Sequence, residues 1–536
     1  MKATRRTVMG GSLAIAGLAS APGILRAQAR PPAARTVRAV MHGDIPTYDP
    51  IWTTANMSAY HGGMVYDMLL GADARGDEPR PQMVRRWGIS DDKLTYTFEL
   101  RDGLRFSDNT EVTSADVVPS IRRWMVRSGS GQLLAQHTRD ISAKDAKTFS
   151  VVLKEPFSLL LDIFSSTNTP VLFIMRKREA ETDPMQKIDQ VVGSGPYILN
   201  QDETKVGSQY VYDKNPHYVP RSEPASGTAG GKVVKVDRTV YVNMPDSQTA
   251  VAALQAGEID FYEIPPIDLL DQLQSDPAIT IENLFDLGLV GHVGLNWLHP
   301  PFNNIKCRQA VLHIMNQEDM LRPTFVSPKW YKTCGSYFTC GSAMENDANT
   351  GWFKSGPNIP LAKQLLAEGG YDGKPIVMLQ ATNIPYMSNA ATVMAEQLRG
   401  AGMKVDLQPM DWAGVVARRV SQAPSDQGGW DIFFTSGAGP SYSDPYTDVS
   451  MATNGTKGWF GWPSDEKNEQ LRAAWVAAET LEQRKAIAAQ IQDNAWNIVP
   501  HLHFGQWQQP TAHRKNVTGW LHVPDLIPFW NVEKKA

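Results

Sequence analysis

The stretch GWDIFFTSGAGPSYSDPYTD, residues 429–448, contains the change from strand to loop on which the fold assignment depends. The apolar run Ile432–Phe434 predicts a buried strand. Glycines, a proline and hydroxyl side chains follow it and predict a loop. Glycine lets a backbone approach a ligand closely, and serine and tyrosine add hydrogen bonds and a ring face. The loop is therefore a candidate binding segment.

The preceding segments alternate between strand and helix patterns. PIVMLQA (375–381), MKVDLQPM (403–410) and WDIFFTS (430–436) are typical of strands, and SNAATVMAEQLRGAG (388–402) and DWAGVVARRV (411–420) of helices. This β-α-β-α-β order predicts a parallel sheet. Ligands of such sheets bind beyond the carboxyl ends of the strands. Two loops become candidates: 382–387, which contains Tyr386, and 437–445.

Composition narrows the functional classes. The chain has 536 residues, 42% of them hydrophobic and 20% charged, with a formal net charge of -4. This length predicts several domains and a large core. There is no basic excess and no nucleic-acid motif, so a nucleic-acid partner is not expected. The 15 tryptophans offer large contact areas for core packing or for a ligand.

The N-terminal residues resemble an export signal. Arg5 and Arg6 precede a modest apolar stretch, residues 8–25, and Ala27-Gln28-Ala29 is a small-residue cleavage pattern. The pair of arginines predicts a twin-arginine-like signal over residues 1–29, although Val8 stands where phenylalanine is usual. A general export signal is the alternative and leads to the same compartment. The mature chain is expected to begin near Arg30 as a soluble periplasmic protein without a lipid anchor.

Three cysteines are present. Cys334 and Cys340 flank GSYFT, and in an oxidising compartment this close pair predicts a disulfide. No further metal ligands lie in that stretch, which argues against a metal site there. Cys307 is expected to be a free thiol inside a helix over 305–321.

Enzymatic motifs are missing from the sequence. It contains no G-x-S-x-G, H-E-x-x-H or G-x-x-x-x-G-K-[ST] pattern, so we expect neither catalysis nor a cofactor. PHLHFGQW (500–507) places His501 and His503 on one face of a strand. Two imidazoles suit nickel or copper, but locally hydrogen-bonded structural histidines are the favoured interpretation, and no metal is predicted.

Seven stretches, in this order, are similar to those of one known family: VYDMLLGAD, PRPQMVRRWGISDDKLTYTFELRDGLRFSDNTEVTSADVVPSIRRW, VGSGPY, LQAGEID, LNWLHPPFNNIKCRQAVLHIMNQEDML, AKQLLAEGGY and WDIFFTSGAGPSYSDP. Together they resemble the family-5 extracellular solute-binding proteins of ABC importers, of the dipeptide, oligopeptide and nickel type. The resemblance covers nearly all of the mature chain. It implies an α/β protein with the two-lobe periplasmic binding protein type II fold, an inserted domain and hinge strands between lobes that close on a ligand.

The resemblance also implies domain limits. Lobe one is expected to contain 36–75, 193–280 and 507–536, the inserted domain 76–192, and lobe two 281–506.

The resemblance further assigns a role to the quoted loop. In peptide-binding relatives, an Asp three residues before the Asp/Glu-Pro pair binds the ligand's α-ammonium. Here that position is Ser441, which carries no charge, so peptides with free N-termini are not the expected cargo. The alternative is that Asp448 or Asp411 supplies the charge. The predicted ligand-binding residues are Tyr386, Trp412, Gly439, Ser441, Tyr442, Trp459 and Trp462.

The implied function is capture of a small solute, peptide-like or another organic ligand, and its delivery to an inner-membrane ABC permease with its ATPase. A monomer is expected. A sensing or chaperone-like module and a metal or haem carrier are the alternatives. The sequence does not identify the ligand, and gene neighbourhood would separate transport from sensing.

Overall fold

This computed structural model describes residues 35–73, 78–446, 448–523 and 525–535, without the side chain of Ala413. The predicted export signal, residues 1–29, lies outside the described residues. Among the described residues, no helix combines the length and the apolar character needed to cross a bilayer.

The strands of the described residues are, in chain order, β1 (Thr36–Val40), β2 (Leu70–Ala72), β3 (Pro79–Pro81), β4 (Val84–Ile89), β5 (Thr95–Leu100), β6 (Thr138–Ala143), β7 (Thr148–Leu153), β8 (Tyr197–Leu199), β9 (Gln209–Lys214), β10 (Arg238–Val242), β11 (Phe261–Tyr262), β12 (Ile279–Glu282), β13 (Leu289–Leu295), β14 (Tyr331–Lys332), β15 (Ile376–Ala381), β16 (Val405–Met410), β17 (Ile432–Ala438), β18 (His501–Trp507), β19 (Thr511–Arg514), β20 (Val517–Thr518) and β21 (Glu533–Lys534).

The α-helices are α1 (Asn56–Val65), α2 (Ser114–Arg127), α3 (Gly129–His137), α4 (Leu160–Ser165), α5 (Lys177–Ala180), α6 (Ser247–Ala256), α7 (Leu270–Ser275), α8 (Ile305–Ile314), α9 (Gln317–Phe325), α10 (Gly351–Ser355), α11 (Ile359–Glu368), α12 (Pro385–Gly400), α13 (Trp412–Arg418), α14 (Glu466–Ala477) and α15 (Leu481–Ile498).

Three larger sheets organise these elements. The first sheet has the order β12-β19-β11-β1-β10-β9-β8, the second β14-β18-β13-β17-β15-β16, and the third β4-β5-β7-β6. The architecture is thus mixed α/β, as expected. The domain limits given above stay a prediction.

The second sheet contains the predicted β-α-β-α-β series. β15 pairs in parallel with both β16 and β17, which confirms the parallel part. β13 joins the other edge of β17 antiparallel, and β18 pairs antiparallel with β13. The complete sheet is therefore mixed, because three strands distant in sequence, β13, β18 and β14, extend it.

Local side chains and one glycine define several helix ends. Thr113 and Asp116 form a capping box at the start of α2. Asp411 accepts a hydrogen bond from the backbone N–H of Gly414 at the start of α13. Gly257, at φ 77°, ends α6 in the left-handed conformation that glycine adopts without strain.

The single helix expected over 305–321 is wrong. Met315 has extended backbone angles (φ -67°, ψ 134°) and ends α8. The side chain of Asn316 then accepts a hydrogen bond from the backbone N–H of Asp319 and caps α9. Asparagine offers the backbone this alternative to continuing a helix, so the apolar period runs through a break in the helix.

Two connections carry the chain between the first and second sheets. Residues 283–288 join β12 to β13, and residues 508–510 join β18 to β19. The two connections touch: Gln508 Nε2 donates to the carbonyl of Asp286 at 3.1 Å, and Gln506 Nε2 donates to that of Leu287 at 2.6 Å. Paired crossings of this kind permit bending between lobes.

Candidate functional site

A cleft of about 1020 Å³ lies at these crossings. Its lining includes residues 284–288 and Gln509 from the connections and Leu289 of β13. Further lining residues include, near the first sheet, His42, Tyr60, Glu263, His522 and Asp525; near the third sheet, Leu159, Asp162 and 165–168; and on the second-sheet side, 341–344, 436–438, Pro440, Ser443, Asp444, Tyr446, Trp475, Arg484 and Lys485. A concave site of this size, with apolar walls and a few polar groups, suits a small ligand.

The wall near the first sheet carries a buried carboxylate. Glu263 is 3% exposed and accepts hydrogen bonds from His42 Nδ1 at 2.9 Å and from Tyr60 OH at 3.0 Å. Burial alone lowers the pKa of His42, but the hydrogen bond to Glu263 and its charge outweigh that effect and raise it. The carboxylate of Glu263 thus meets the cleft with two hydrogen-bond donors already bound.

Asp525 is the second acid of this wall. Its backbone is left-handed (φ 55°), and no hydrogen bond or ion pair reaches its carboxylate from the part of the chain that the structure describes. Burial raises its pKa to about 7. Left-handed backbone is uncommon outside glycine, although aspartate tolerates it better than most residues, and such positions cluster at functional sites. Asp525 is thus available to a ligand.

The opposite wall is bridged by an ion pair. Arg484 Nη1 of α15 lies 3.1 Å from Asp162 Oδ2 of α4, and Arg484 Nη2 also donates to Ser158 Oγ. Burial raises the pKa of Asp162, and Arg484 opposes that shift. This ion pair connects α4, near the third sheet, to α15, which follows the quoted loop in sequence. Residues near all three larger sheets therefore line the cleft.

The quoted loop faces the cleft with its backbone and with small side chains. Pro440, Ser443 and Asp444 line the cleft, whereas the ring of Tyr442 points inward and lies 5.6 Å from that of His503. A Cβ atom on Gly437 would lie 2.8 Å from the Tyr442 ring. A Cβ atom on Gly439 would lie 2.5 Å from the carbonyl oxygen of Leu287. These glycines permit packing of the loop against protein.

The structure places the seven predicted ligand-binding residues behind or beside this cleft, and none is among its described lining residues. Ser441 is half-buried and Gly439 and Tyr442 are buried. Their role in binding stays a prediction.

The predicted tryptophans and Tyr386 pack against protein. Arg419 lies over the Trp412 ring at 5.4 Å and over the Trp459 ring at 5.9 Å. Trp462 lies 5.6 Å from Trp430. Tyr386 lies 4.8 Å from Trp507, and its hydroxyl is 3.2 Å from Ser436 Oγ, which does line the cleft.

The alternative counter-charges also lie away from the lining. Asp411 caps α13, and Asp448 is 2% exposed, with its pKa raised to about 7 by burial. Asp444 and Asp525 line the cleft instead. Asp444 lies in the quoted loop, so its place in the lining could have been predicted from the sequence. Asp525 had no signal beyond being a single carboxylate in the apolar run 523–530.

The two histidines of β18 share one face as predicted, and the structure adds a third. His292 of β13 pairs in register with His503. His292 is 209 residues away from His501, and only the antiparallel pairing of β13 with β18 brings the two together.

The structure contains the Cys334–Cys340 disulfide, with its sulfur atoms 1.98 Å apart. It closes the loop before residues 341–344 of the cleft lining. Cys307 is a buried free thiol in α8.

A cleft enclosed by two sheet-centred bodies and crossed by two connections defines a ligand-capture protein of the two-lobe periplasmic binding type. The sequence model of the bacterial extracellular solute-binding proteins, family 5 (middle part), matches residues 78–460. The chain belongs to this family.

One relative is 44% identical over 537 residues and covers 100% of both chains: the probable peptide ABC transporter periplasmic-binding protein y4tO of Sinorhizobium fredii. Two solved structures show the same fold. The dipeptide-binding protein of Pseudoalteromonas sp. SM9913 with Met-Leu is 20% identical, covers 93% of this chain and 100% of its own, and has a TM-score of 0.74. NikZ of Campylobacter jejuni with Ni(L-His) is 17% identical, covers 94% and 100%, and has a TM-score of 0.73.

Proposed function

We propose that this chain is the periplasmic substrate-binding component of an ABC importer. It captures a small solute, peptide-like or another organic ligand, between its lobes and delivers it to an inner-membrane permease. The observation that carries this proposal is the cleft at the two crossings, whose lining combines both lobes and the connections between them. The protein acts as a monomer without a cofactor and is not an enzyme. It reaches the periplasm by means of residues 1–29.

The charges of the cleft favour a ligand with a hydrogen-bond donor or a cationic group at the first-sheet wall. Glu263 already accepts hydrogen bonds from His42 and Tyr60, whereas Asp525 has no such partner among the described residues. The full-length similarity to the y4tO protein supports a peptide-like solute. Ser441 supplies no charge, so an ammonium group, if the ligand has one, is expected at Asp525.

A ligand screen on two matched variants tests the site. Purified protein is titrated calorimetrically with di- and tripeptides, N-blocked peptides, opines, sugars and aromatic acids. Ser443→Trp fills the cleft and is expected to weaken the best ligand at least tenfold. Ser441→Trp, two residues away and outside the lining, is the control and is expected to leave affinity within about threefold.

The reverse pattern would move the site to Ser441 and contradict the cleft assignment. A ligand that binds the unaltered protein and both variants equally would contradict it too. Asp525→Asn then tests the ammonium: it should weaken a free-amine ligand and leave its N-blocked form unchanged.

A further inference from the structure

Three buried histidines meet in the second sheet, away from the cleft lining. His292 is 0% exposed, His501 2% and His503 3%. One ring nitrogen from each lies within 4.8 Å of those of the other two. We call these residues the histidine cluster.

The ring nitrogens of this cluster are poorly satisfied. Neither Nδ1 nor Nε2 of His292 has a hydrogen-bond partner, and the same is true of Nε2 of His501 and Nε2 of His503. His501 Nδ1 lies 3.1 Å from the hydroxyl of Tyr337, and the backbone of Ser450 and of Ser336 hydrogen-bonds the rings of His501 and His503. Buried polar groups are nearly always paired, because leaving one unpaired is unfavourable. Several unpaired imidazole nitrogens at one point therefore require an explanation.

Aromatic rings enclose the cluster. Tyr337 stacks on the rings of His501 and His503 at 4.7 and 5.8 Å. Trp459 meets His292 edge-on at 4.9 Å. Burial lowers the pKa of all three imidazoles, to about 4 for His503, so they are neutral at pH 7. Neutral imidazole is the form that coordinates a metal.

Arg419 acts on the cluster, and Asp448 acts on two rings beside it. Arg419 contributes to the lowered pKa of His292 and disfavours a nearby cation. Asp448 acts on the two tyrosines that border the cluster, Tyr337 and Tyr442, and its Oδ2 atom is buried without a partner.

We propose that His292, His501 and His503 form a three-histidine binding site for a first-row divalent cation, with Zn²⁺ as the best-suited ion. Imidazole suits Zn²⁺, Cu²⁺ and Ni²⁺. Tetrahedral coordination at Zn–N distances of about 2.0–2.1 Å places ligand nitrogens about 3.4 Å apart. Small rotations of the rings achieve this from separations within 4.8 Å. Three protein ligands leave a fourth position for a water molecule.

This site is structural and differs from a cargo site. None of its histidines is among the residues that line the cleft, and the ring of Tyr442 packs against His292 and His503 from the side of the cleft loop. Since all three imidazoles are buried, we expect the ion to enter as the chain folds rather than by exchange with the folded protein.

The test measures bound metal in the full chain. Protein unfolded in guanidinium with a chelator is refolded with one equivalent of Zn²⁺ or Co²⁺, desalted and analysed by plasma mass spectrometry. We expect about one ion per chain and tetrahedral Co²⁺ absorption in the visible range. His292→Asn and His501→Gln should each reduce bound metal at least tenfold. His313→Asn in α8 and His522→Asn at the cleft are the controls and should retain it.

Absence of metal from the unaltered protein, both as purified and after refolding, would overturn the proposal. Retention of metal by both cluster variants would overturn it as well. If the variants do not fold, as judged by circular dichroism, the unaltered protein decides: unfolding midpoints that are equal with and without Zn²⁺ contradict the site, and a raised midpoint with the Co²⁺ spectrum supports it.

Discussion

Lowering the pH should destabilise the protein through His61, a buried histidine of α1. The side chain is 0% exposed, its Nδ1 lies 2.9 Å from the hydroxyl of Tyr212, and its Nε2 has no partner. Burial lowers the pKa of His61 from 6.5 to about 3. The folded protein therefore holds this ring neutral where the unfolded chain protonates it.

The sign and size follow from these values. Between pH 6.5 and about 3 the unfolded chain binds a proton that the folded chain does not, so stability falls as the pH falls. From pH 7 to pH 4.5, the contribution of His61 to the free energy of unfolding should decrease by about 2.5 kcal/mol. Asp525 and Asp448, whose pKa values are raised by burial, titrate in the same window.

Comparing the unaltered protein with a His61 variant cancels the contributions of Asp525 and Asp448, which both proteins share. Urea unfolding of the unaltered protein and of His61→Gln is measured at pH 7 and at pH 4.5. The stability difference between the two proteins should shift by about 2.5 kcal/mol in favour of the variant at the lower pH. A shift below about 0.5 kcal/mol would show that the folded protein accommodates a protonated His61, and the burial reasoning would then be wrong.

Three further experiments test separate features. The double variant Cys334→Ser and Cys340→Ser should lose about 2 kcal/mol in urea unfolding because the closed loop is short. Thiol titration of the unaltered protein, denatured but not reduced, should find one thiol, that of Cys307, and three thiols would contradict the bond. Asp49→Asn removes the 2.7 Å partner of Arg123 from an ion pair whose side chains are both 0% exposed, and it should cost about 3 kcal/mol of stability because a buried charge loses its partner. The control is Glu78→Gln at the exposed pair with Arg80, which should change stability by about 0.5 kcal/mol or less. Equal losses in the two variants would refute the role of burial. Gly439→Ala should cost about 1–3 kcal/mol of stability, because its Cβ would lie 2.5 Å from the backbone of Leu287. The control is Gly400→Ala, whose Cβ would meet open space, and it should be neutral or slightly stabilising. A Gly439→Ala protein as stable as this control would show that the loop shifts to accommodate the methyl group.

Structural features that depend on residues close in sequence could be predicted from the sequence. The apolar period of residues 375–436 predicted the parallel strands. The helix ends at Thr113, Gly257 and Asp411 likewise depend on residues only a few positions away. Met315 escaped prediction, since the apolar period continues across the break and only the side chain of Asn316 marks it.

The cleft could be predicted only in part, because strands distant in sequence build it. The loop 437–445 was located at the end of β17, but which of its side chains turn toward solvent depends on the packing of Tyr442 against histidines of β13 and β18. Asp525 and His292 join their neighbours only through tertiary contacts. Neither residue belongs to a motif, so no spacing along the chain could have indicated them.

The position of β19 has a consequence for biosynthesis. This strand lies between β11 and β12 inside the first sheet, although it is made of residues 511–514. When β12 has been synthesised, the edges of β11 and β12 that pair with β19 are still unpaired. They stay unpaired until more than two hundred further residues have been translated. Unpaired edges promote aggregation, and pairing over so long a separation is slow. A nascent chain truncated before Thr511 should consequently depend on chaperones that bind extended segments, whereas the completed chain should be released from them.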